Sequence, residues 1–514
     1  MAYTKTPQYN TQQTIRVPVQ GSMVPSFAYT NIFKPNSNYI NCYPISLKQW
    51  HKDPINVLIK REGLAGDPIF WTGNPRGFGI ASQINLGLSV AYAATSSGNM
   101  YNDAGQSKAL HYTSGYVGFC EYRVGTTYYV VILENHATAA YLHLFDPAAN
   151  TIASTSLGVG AQGDPVFMDG YIFVCGAVGN QRIYNSTIGA PGTFSTSTDF
   201  IDCEMFADNL TYISKHKNHI VGFGISSIEF FYNNANQLGS PLTRNTSYAV
   251  RAGLGVGGLS GYTDPLIQSI GDSLFFIGQF VGAPRGVLEL TDFQVKDIST
   301  PQIQQAITQC NEFRLQVGQE RTSPTLILSL ADVVDTYNYM YNVVENLWVE
   351  NQYFQNDATR VRVMFSGTRN GKSKYVLHKI VSGVGAYSYA SNSIYELGGT
   401  EDLIAIYTTD IIDFGVNNSK HMMNVELLGT FYGQNVKLEY TKDNTDSDDV
   451  TWTDMGTINT TTASPWTPYR WRELGWGNHW RFKFTFGISD GAVSETRQQI
   501  TMRGFECSFD QHTD

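Results

Sequence analysis

The stretch His216–Tyr232 reads His-Lys-Asn-His-Ile-Val-Gly-Phe-Gly-Ile-Ser-Ser-Ile-Glu-Phe-Phe-Tyr. A polar turn precedes a short apolar run ending in Gly, and a second turn at Ser226-Ser227 precedes an aromatic run, which is typical of a β-hairpin. The pattern recurs at Met168–Tyr184 and Ile270–Leu290, with a looser copy at 125–145. The first strands of these copies begin near residues 128, 171, 220 and 274. The spacing, roughly 43–54 residues, is that expected of four-stranded propeller blades.

Composition restricts the class of protein before any motif is considered. The chain has 514 residues, enough for one large β architecture and a second domain. Its 48 Gly and 13% aromatic residues suit many strands joined by tight turns, and its 42% hydrophobic share excludes a disordered chain. The formal net charge of −10 argues against tight binding to nucleic-acid phosphates, because such binding needs a basic surface.

Neither a disulfide framework nor a membrane span is expected. The six Cys form no Cys-x-x-Cys motif, and several stand within apolar strands, so we interpret them as reduced core residues. No apolar run approaches the ~20 residues of a membrane span. The Met-Ala-Tyr-Thr-Lys start lacks the apolar segment of a signal peptide.

The order of patterns along the chain predicts an all-β protein in three segments. Residues 1–38 are polar and rich in Gln, Pro, Asn and Thr, which indicates an extended N-terminal arm that needs a partner surface to be ordered. Residues 39–400 are expected to form a β-propeller of about six unequal blades, with its clearest helix at Pro301–Leu315. Residues 401–514 contain further strands and are predicted to form a β-sandwich-like domain.

Three motifs resemble ligand-binding loops, and we interpret each as structural. Gly253–Gly258 contains Gly-x-Gly-x-x-Gly, but the following residues 259–265 cannot form the helix that a dinucleotide site needs. Gly367–Ser373 is one residue too short between its glycines for a phosphate loop and reads as a hairpin turn. Asp443–Asp449 offers oxygen ligands of the kind Ca²⁺ prefers and resembles a degenerate Asp-box, yet a solvated acidic loop is favoured over a metal site.

No residue pattern demands an enzyme. His216 and His219 are three residues apart but have no acidic or Cys residue nearby to complete a metal shell, and the ten His do not gather in sequence. No Ser/His/Asp set stands out. The aromatic residues crowded into Trp466–Trp480 favour core packing, and the neighbouring arginines leave a weaker case for an interaction surface. We therefore predict no catalytic, cofactor-binding or metal-binding residues.

The run Asn218–Glu229 and its sequel resemble the packaged-DNA stabilisation proteins of short-tailed bacteriophages (podoviruses), which are also called tail hub or nozzle proteins. That family has a hairpin of the form hydrophobic–Phe-Gly–Ser-Ser–Ile-Glu-Phe-Phe, followed by a strand of the form Asp-Ser-aromatic-Phe-Ile. The matching residues here are Val221–Gly224, Ser226–Phe231 and Asp272–Ile277. The likeness covers residues 38–390 and does not extend to the N-terminal arm.

This resemblance implies a structural protein of the virion tail, made in the cytoplasm of a bacterial host. The family fold is a propeller subunit that forms a homo-oligomeric, usually hexameric, ring below the head-to-tail adaptor and portal complex. The ring closes or lines the DNA channel after packaging. The implied partners are neighbouring copies, the adaptor, tail spikes or fibres and a terminal plug or needle. Double-stranded DNA would pass without sequence-specific binding and would leave through the ring during genome ejection.

A carbohydrate-binding or carbohydrate-degrading propeller of the tail that acts on the host surface is the alternative. It predicts repeated Asp-boxes, or a pocket in which acidic residues converge on a sugar. The single degenerate box at 443–449 gives it little support.

Overall fold

The computed structural model of the chain resolves into two compact units. The first comprises Met1–Ala65, Tyr339–Asp357 and Leu397–Asp514, and the second comprises Gly66–Asn338 and Ala358–Glu396. The structure describes residues 12–19, 39–46, 56–60, 63–67, 70–83, 88–177, 179–236, 238–255, 266–310, 312–320, 323–331, 336–351, 360–369, 372–381, 388–399, 404–409, 411–412, 414, 419–431, 435–442, 451–458, 469–488 and 501–511.

Across its described residues, the second unit contains seven antiparallel sheets that follow one another along the chain. The first two are β6 (Pro75–Gln83), β7 (Leu88–Thr95), β8 (Asn99–Asn102) and β9 (Ser107–Ala109), then β10 (Val117–Val124), β11 (Thr127–Glu134), β12 (Tyr141–Asp146) and β13 (Thr151–Ser156). The third and fourth are β14 (Ala161–Met168), β15 (Tyr171–Gly176), β16 (Arg182–Thr187), β17 (Ala190–Phe194) and β18 (Phe200–Asp202), then β19 (Leu210–His216), β20 (His219–Gly224), β21 (Ile228–Asn233) and β22 (Leu242–Val250).

The remaining three sheets complete the set. The fifth is β23 (Ala252–Gly253), β24 (Ile267–Ile270), β25 (Ser273–Phe280), β26 (Gly286–Thr291) and β27 (Gln294–Asp297). The sixth has β28 (Glu312–Glu320) and β29 (Ser323–Ala331) in this unit, and the seventh has β32 (Arg360–Arg369), β33 (Lys372–Val381) and β34 (Ser388–Gly399).

The sheets form a closed ring, as a propeller requires. Strands β6, β10, β14 and β19 lie side by side in that order, β24 lies beside β28, and β32 packs against both β28 and β6. Between the fourth and fifth sheets, the ring centroids of Phe223 and Phe276 are 5.1 Å apart, and the backbone N–H of Leu254 donates a hydrogen bond of 3.0 Å to the carbonyl oxygen of Gly224. The predicted all-β propeller fold is confirmed, with seven sheets where about six were expected.

The repeated runs of the sequence were expected to form the first strand of each sheet, but they form a later one. The runs beginning near 128, 171, 220 and 274 form β11, β15, β20 and β25, each of which follows an earlier strand of its own sheet. The first strands were missed because they are more polar: β19, for example, carries Thr211, Ser214 and Lys215 among its apolar residues.

Glycine allows neighbouring first strands to approach each other closely. A Cβ atom on Gly77 of β6 would lie 2.0 Å from the carbonyl oxygen of Val117 on β10. No side chain fits at that separation without displacing backbone, so the contact between the first two sheets requires Gly at this position.

The predicted helix exists but is shorter than expected. Helix α1 spans Pro301–Gln309, and the hydroxyl of Thr300 accepts a hydrogen bond from the N–H of Ile303 at its N-terminus. The prediction that it continues to Leu315 is wrong, since Cys310 is extended and Glu312 begins β28. Residues 312–320 pair in register with β29, and this sheet pairing overrides the helical spacing of the preceding apolar residues.

The first unit is a sandwich of two sheets. One has the order β3 (Cys42–Ser46), β4 (Asn56–Lys60), β41 (Thr501–Gln511), β36 (Lys420–Thr430) and β39 (Tyr469–Gly477), with β1 (Gln12–Pro18) also paired to β41. The other has the order β30 (Thr336–Asn342), β31 (Leu347–Glu350), β2 (Tyr39–Ile40), β35 (Ala405–Thr408), β40 (Trp480–Ile488), β37 (Asn435–Lys442) and β38 (Thr453–Ile458). Phe484 of β40 packs against Phe505 of β41 and Trp471 of β39, so an aromatic core joins the two sheets.

The composition of this unit differs from the predicted domain limits in two segments. Residues 39–65 and 339–357 were expected in the propeller, but they belong to the first unit together with 397–514. Strand β2 explains the grouping, because it pairs with β31 on one side and with β35 on the other. Strand β5 (Gly63–Asp67) spans the sequence boundary between the two units.

Candidate functional site

Residues of β10, β14, β19 and β24 line a cleft of about 520 Å³ between neighbouring sheets. Its acidic and basic side chains are Glu121, Asp164, Asp272, Lys215, Lys217 and His216. Carboxylates and ammonium groups are therefore mixed in this cleft, and it is neither a basic site for phosphate nor a uniformly acidic wall. Within the described part of the chain, no three His, Cys, Asp or Glu side chains are arranged to hold a metal ion.

Asp164 connects three consecutive sheets at one end of the cleft. Its Oδ1 accepts a hydrogen bond of 2.8 Å from the hydroxyl of Tyr116, and its Oδ2 accepts one from the hydroxyl of Tyr212. Burial raises the pKa of Asp164, although the two tyrosine hydroxyls and the N–H of Phe119 oppose that increase. Burial and the nearby Asp164 together raise the pKa of Tyr212 well above its ordinary value, so the tyrosine remains a hydrogen-bond donor.

A second polar network is buried between the first two sheets. Glu134, at the end of β11, is fully buried, and both nitrogens of the Arg76 fork lie 3.4 Å from its Oε1. Its carboxylate also accepts hydrogen bonds from the backbone N–H groups of His111 at 2.7 Å and Tyr112 at 3.0 Å. The ring nitrogen Nε2 of His143 lies 2.8 Å from Oε2.

Burial by itself raises the pKa of Glu134. The hydrogen bond with His143 and those from the backbone N–H groups of His111 and Tyr112 outweigh burial, and the net result is a pKa below the ordinary value. Arg76 responds to the same environment in the opposite sense: burial lowers its pKa, and Glu134 partly restores it. The charges of Glu134 and Arg76 therefore depend on each other, which makes the network a link between β6 and β11.

In the same network, Ser154, His143 and Glu134 are hydrogen-bonded in series, an arrangement that the sequence did not predict. The Nδ1 of His143 lies 2.7 Å from the hydroxyl of Ser154, and its Nε2 contacts Glu134. His143 and Ser154 stand opposite each other in the pairing of β12 with β13. Only the register of these two consecutive strands could have predicted their contact from the sequence. Because Glu134 is already bonded to Arg76 and to two backbone N–H groups, we interpret the row as structural support.

Three of the ten histidines, although dispersed in sequence, lie close together in the structure. His111, His136 and His143 lie around Tyr112 and Tyr141 next to the Glu134 network. The ring of His111 stacks on Tyr141 at 3.8 Å, and the ring of His136 stacks on Tyr112 at 4.5 Å. The sequence did not predict this cluster because its members come from two connecting loops and strand β12.

His216 and His219 lie beside aromatic residues. His219 packs edge-on against Phe293 at 5.0 Å, and His216 is buried at the cleft, where burial lowers its pKa. Neither residue belongs to a metal-binding group within the described ranges.

Of the remaining sequence motifs, the structure describes some and leaves others outside its described residues. The hairpin interpretation of Gly367–Ser373 is confirmed, since β32 and β33 pair antiparallel on both sides of residues 370–371. Residues 256–258 of the Gly-rich run and the whole acidic loop 443–449 lie outside the described residues. Trp471 and Trp480 are buried in the sandwich core, whereas Trp476 is 45% exposed.

Comparison with known proteins decides the family. A family model described as "Bacteriophage P22 Gp10, beta-propeller" matches residues 91–367, which is more than half of the chain. This chain belongs to the bacteriophage stabilisation family. Membership makes it a DNA-stabilisation propeller of a phage tail and a component of the virion, and it points to a structural role.

Solved structures give only distant similarities. BBS1N from a complex with ARL6DN is 12% identical and has a TM-score of 0.38, with 66% of this chain and 98% of that chain covered. The AfRom2 CNH domain is 7% identical, with a TM-score of 0.33 and coverages of 62% and 96%. Kluyvelomyces marxianus Hsv2 is 8% identical, with a TM-score of 0.32 and coverages of 62% and 98%. With TM-scores below 0.5, these similarities support no conclusion about this chain.

A search of curated proteins found no significant match. Of the helices in the described part of the chain, none is both long and apolar enough to cross a membrane.

Proposed function

We propose that this chain is a tail hub, or nozzle, subunit that forms a ring below the head-to-tail adaptor and keeps the packaged genome inside the virion. The family match over residues 91–367 carries the proposal. The ring would be a homo-oligomer, with six copies as the expected number. Spikes or fibres and a terminal plug would attach to it, and synthesis would take place in the cytoplasm of the bacterial host.

The physical properties of the chain support such a role. A closed propeller has short, protected sheet edges, and the buried networks of Glu134 and Asp164 tie adjacent sheets together. Such a block resists deformation when DNA is packed against it. A net charge of −10 lets DNA pass without adhering, because strong adhesion would require cations along the phosphates.

The experiment is to assemble virus particles without this chain and measure the DNA that stays protected from nuclease after packaging. We expect particles that package and then lose their genome, and added wild-type protein should restore retention. The Glu204→Gln variant changes an exposed carboxylate and serves as a matched control that should restore retention equally. Full, stable particles that fail only to adsorb would refute the hub proposal and favour the carbohydrate-directed alternative.

A further inference from the structure

The N-terminal strand β1 lies at an edge of the first unit, far from its partner in sequence. Residues Gln12 to Pro18 pair antiparallel with Asp510 to Gly504 of β41. Strand β36 occupies the other edge of β41. On the edge that β1 uses, β4 pairs only at Thr501 and Met502, so β1 satisfies the backbone groups of residues 504–510.

Most side chains of segment 12–19 are not fully buried in this attachment. Thr14 and Arg16 are exposed, Ile15 and Val17 are half-buried, and Val19 is the one described residue of segment 12–19 that is buried. Backbone hydrogen bonds of the sheet therefore provide most of the attachment. Such a strand can leave its site and be replaced by an identical strand without the loss of a packed core.

The residues of β41 fix the position that an incoming strand must take. Phe505, Cys507 and Phe509 are buried and stand opposite Val17, Ile15 and Gln13 respectively. Thr14 and Ser508 face each other on the opposite side, with their hydroxyl oxygens 3.0 Å apart. A strand of another sequence would lose this match of apolar and polar positions, so the edge selects a copy of β1.

The sequence between β1 and the rest of the chain is long enough for exchange. Residues 20–38 connect the described segment 12–19 to β2. A chain of this length extends to about 65 Å at most and spans about 24 Å on average when flexible. Exchange therefore requires the β41 edge of a neighbouring subunit to lie within the larger distance.

We propose that in the assembled ring β1 of each subunit pairs with β41 of the neighbouring copy. This inference rests on the proposed ring function. The exchanged pairing has the same register as the pairing within one chain, so exchange sacrifices no hydrogen bonds, and residues 20–38 tether each subunit to the strand that it pairs on the next one. The arm would thus fasten the ring without an additional interface.

Disulfide trapping tests the exchange. Chains carrying Thr14→Cys and chains carrying Ser508→Cys, each with its own tag, are co-expressed and assembled into tails, which are then oxidised. Only exchange can join these two chains, and we expect tail-bound protein to shift from monomer to dimer mobility with both tags present. The native Cys507 interferes little, because burial raises the pKa of its thiol far above the ordinary value.

Two controls make a negative result informative. The double variant Thr14→Cys/Ser508→Cys in one chain, tested as isolated monomer, must form the disulfide internally, which verifies the geometry. The mixture of Arg16→Cys chains with Ser508→Cys chains is offset by two residues, since Arg16 stands opposite Glu506. The Cα atoms of such an offset pair are roughly 7–8 Å apart, beyond the reach of a disulfide, so no dimer is expected.

The possible outcomes separate the two proposals. Mixed dimers in assembled tails support strand exchange. Intact rings without mixed dimers, in the presence of a positive double variant, overturn strand exchange and leave the hub proposal standing. Tails in which no ring of this chain is found refute the hub proposal and strand exchange with it.

Discussion

Replacement of Glu134 by Gln should be one of the most destabilising conservative changes in the propeller. The change retains the shape of the side chain but removes the charge that compensates Arg76, whose side chain is only 6% exposed. It also places an amide donor among the donors of His143, His111 and Tyr112. Breaking a buried ion pair from one side costs about 3–5 kcal/mol.

The size of the thermal shift follows from the size of the unit. An unfolding entropy of about 2.1 cal/mol/K per residue over about 310 residues gives roughly 0.65 kcal/mol per kelvin, so a loss of ~4 kcal/mol lowers the melting temperature by about 6 °C. Calorimetry and denaturant titration of wild-type, Glu134→Gln and Glu204→Gln proteins measure the effect. The exposed Glu204 should give a change within about 0.5 kcal/mol.

The pH dependence provides an independent check. The pKa of Glu134 is lower in the folded protein than its ordinary value of 4.5, so its stabilisation is complete above that value and is lost as the pH falls through the folded pKa. The difference in unfolding free energy between wild type and Glu134→Gln should stay constant near neutral pH and shrink below pH 4.5. A difference below about 1 kcal/mol at neutral pH would refute the interpretation of the network as a link between sheets.

Two further predictions concern contacts between neighbouring sheets. Tyr212→Phe removes a donor from buried Asp164 and should cost about 1–3 kcal/mol at pH 7. Because the pKa of Asp164 is raised in the folded protein, its carboxyl group stays protonated to higher pH than in the unfolded chain. The loss of unfolding free energy caused by Tyr212→Phe should therefore be smaller near pH 4 than at pH 7. Equal losses at the two pH values would contradict this reasoning. Gly77→Ala places a Cβ atom against a backbone carbonyl and should lower stability by about 1–3 kcal/mol or more, as measured by denaturant unfolding. Gly125 is the control, because no atom lies within 4 Å of an added Cβ and only its positive φ disfavours alanine. Gly125→Ala should therefore lower the unfolding free energy by only about 1 kcal/mol. Equal losses at Gly77 and Gly125 would show that the close approach of the strands at Gly77 is unimportant.

Sequence alone determined the local elements of this protein. Short apolar runs bounded by turn residues produced the hairpin at 219–233, and the Asn-Gly pair at 370–371 was recognised as a turn between strands. The N-terminus of helix α1 was also predictable, because Thr300 and Pro301 act within one turn. All of these features depend on interactions between residues close in sequence.

Tertiary structure decided how those elements are combined. Arg76 meets Glu134 across 58 residues, and Thr14 meets Ser508 across 494 residues, distances over which periodicity contains no information about register. The polar first strands and the early end of α1 were likewise fixed by neighbours in space. Burial and pairing stabilise such segments more strongly than their own residue preferences do, because the local preferences are worth only fractions of a kcal/mol per residue.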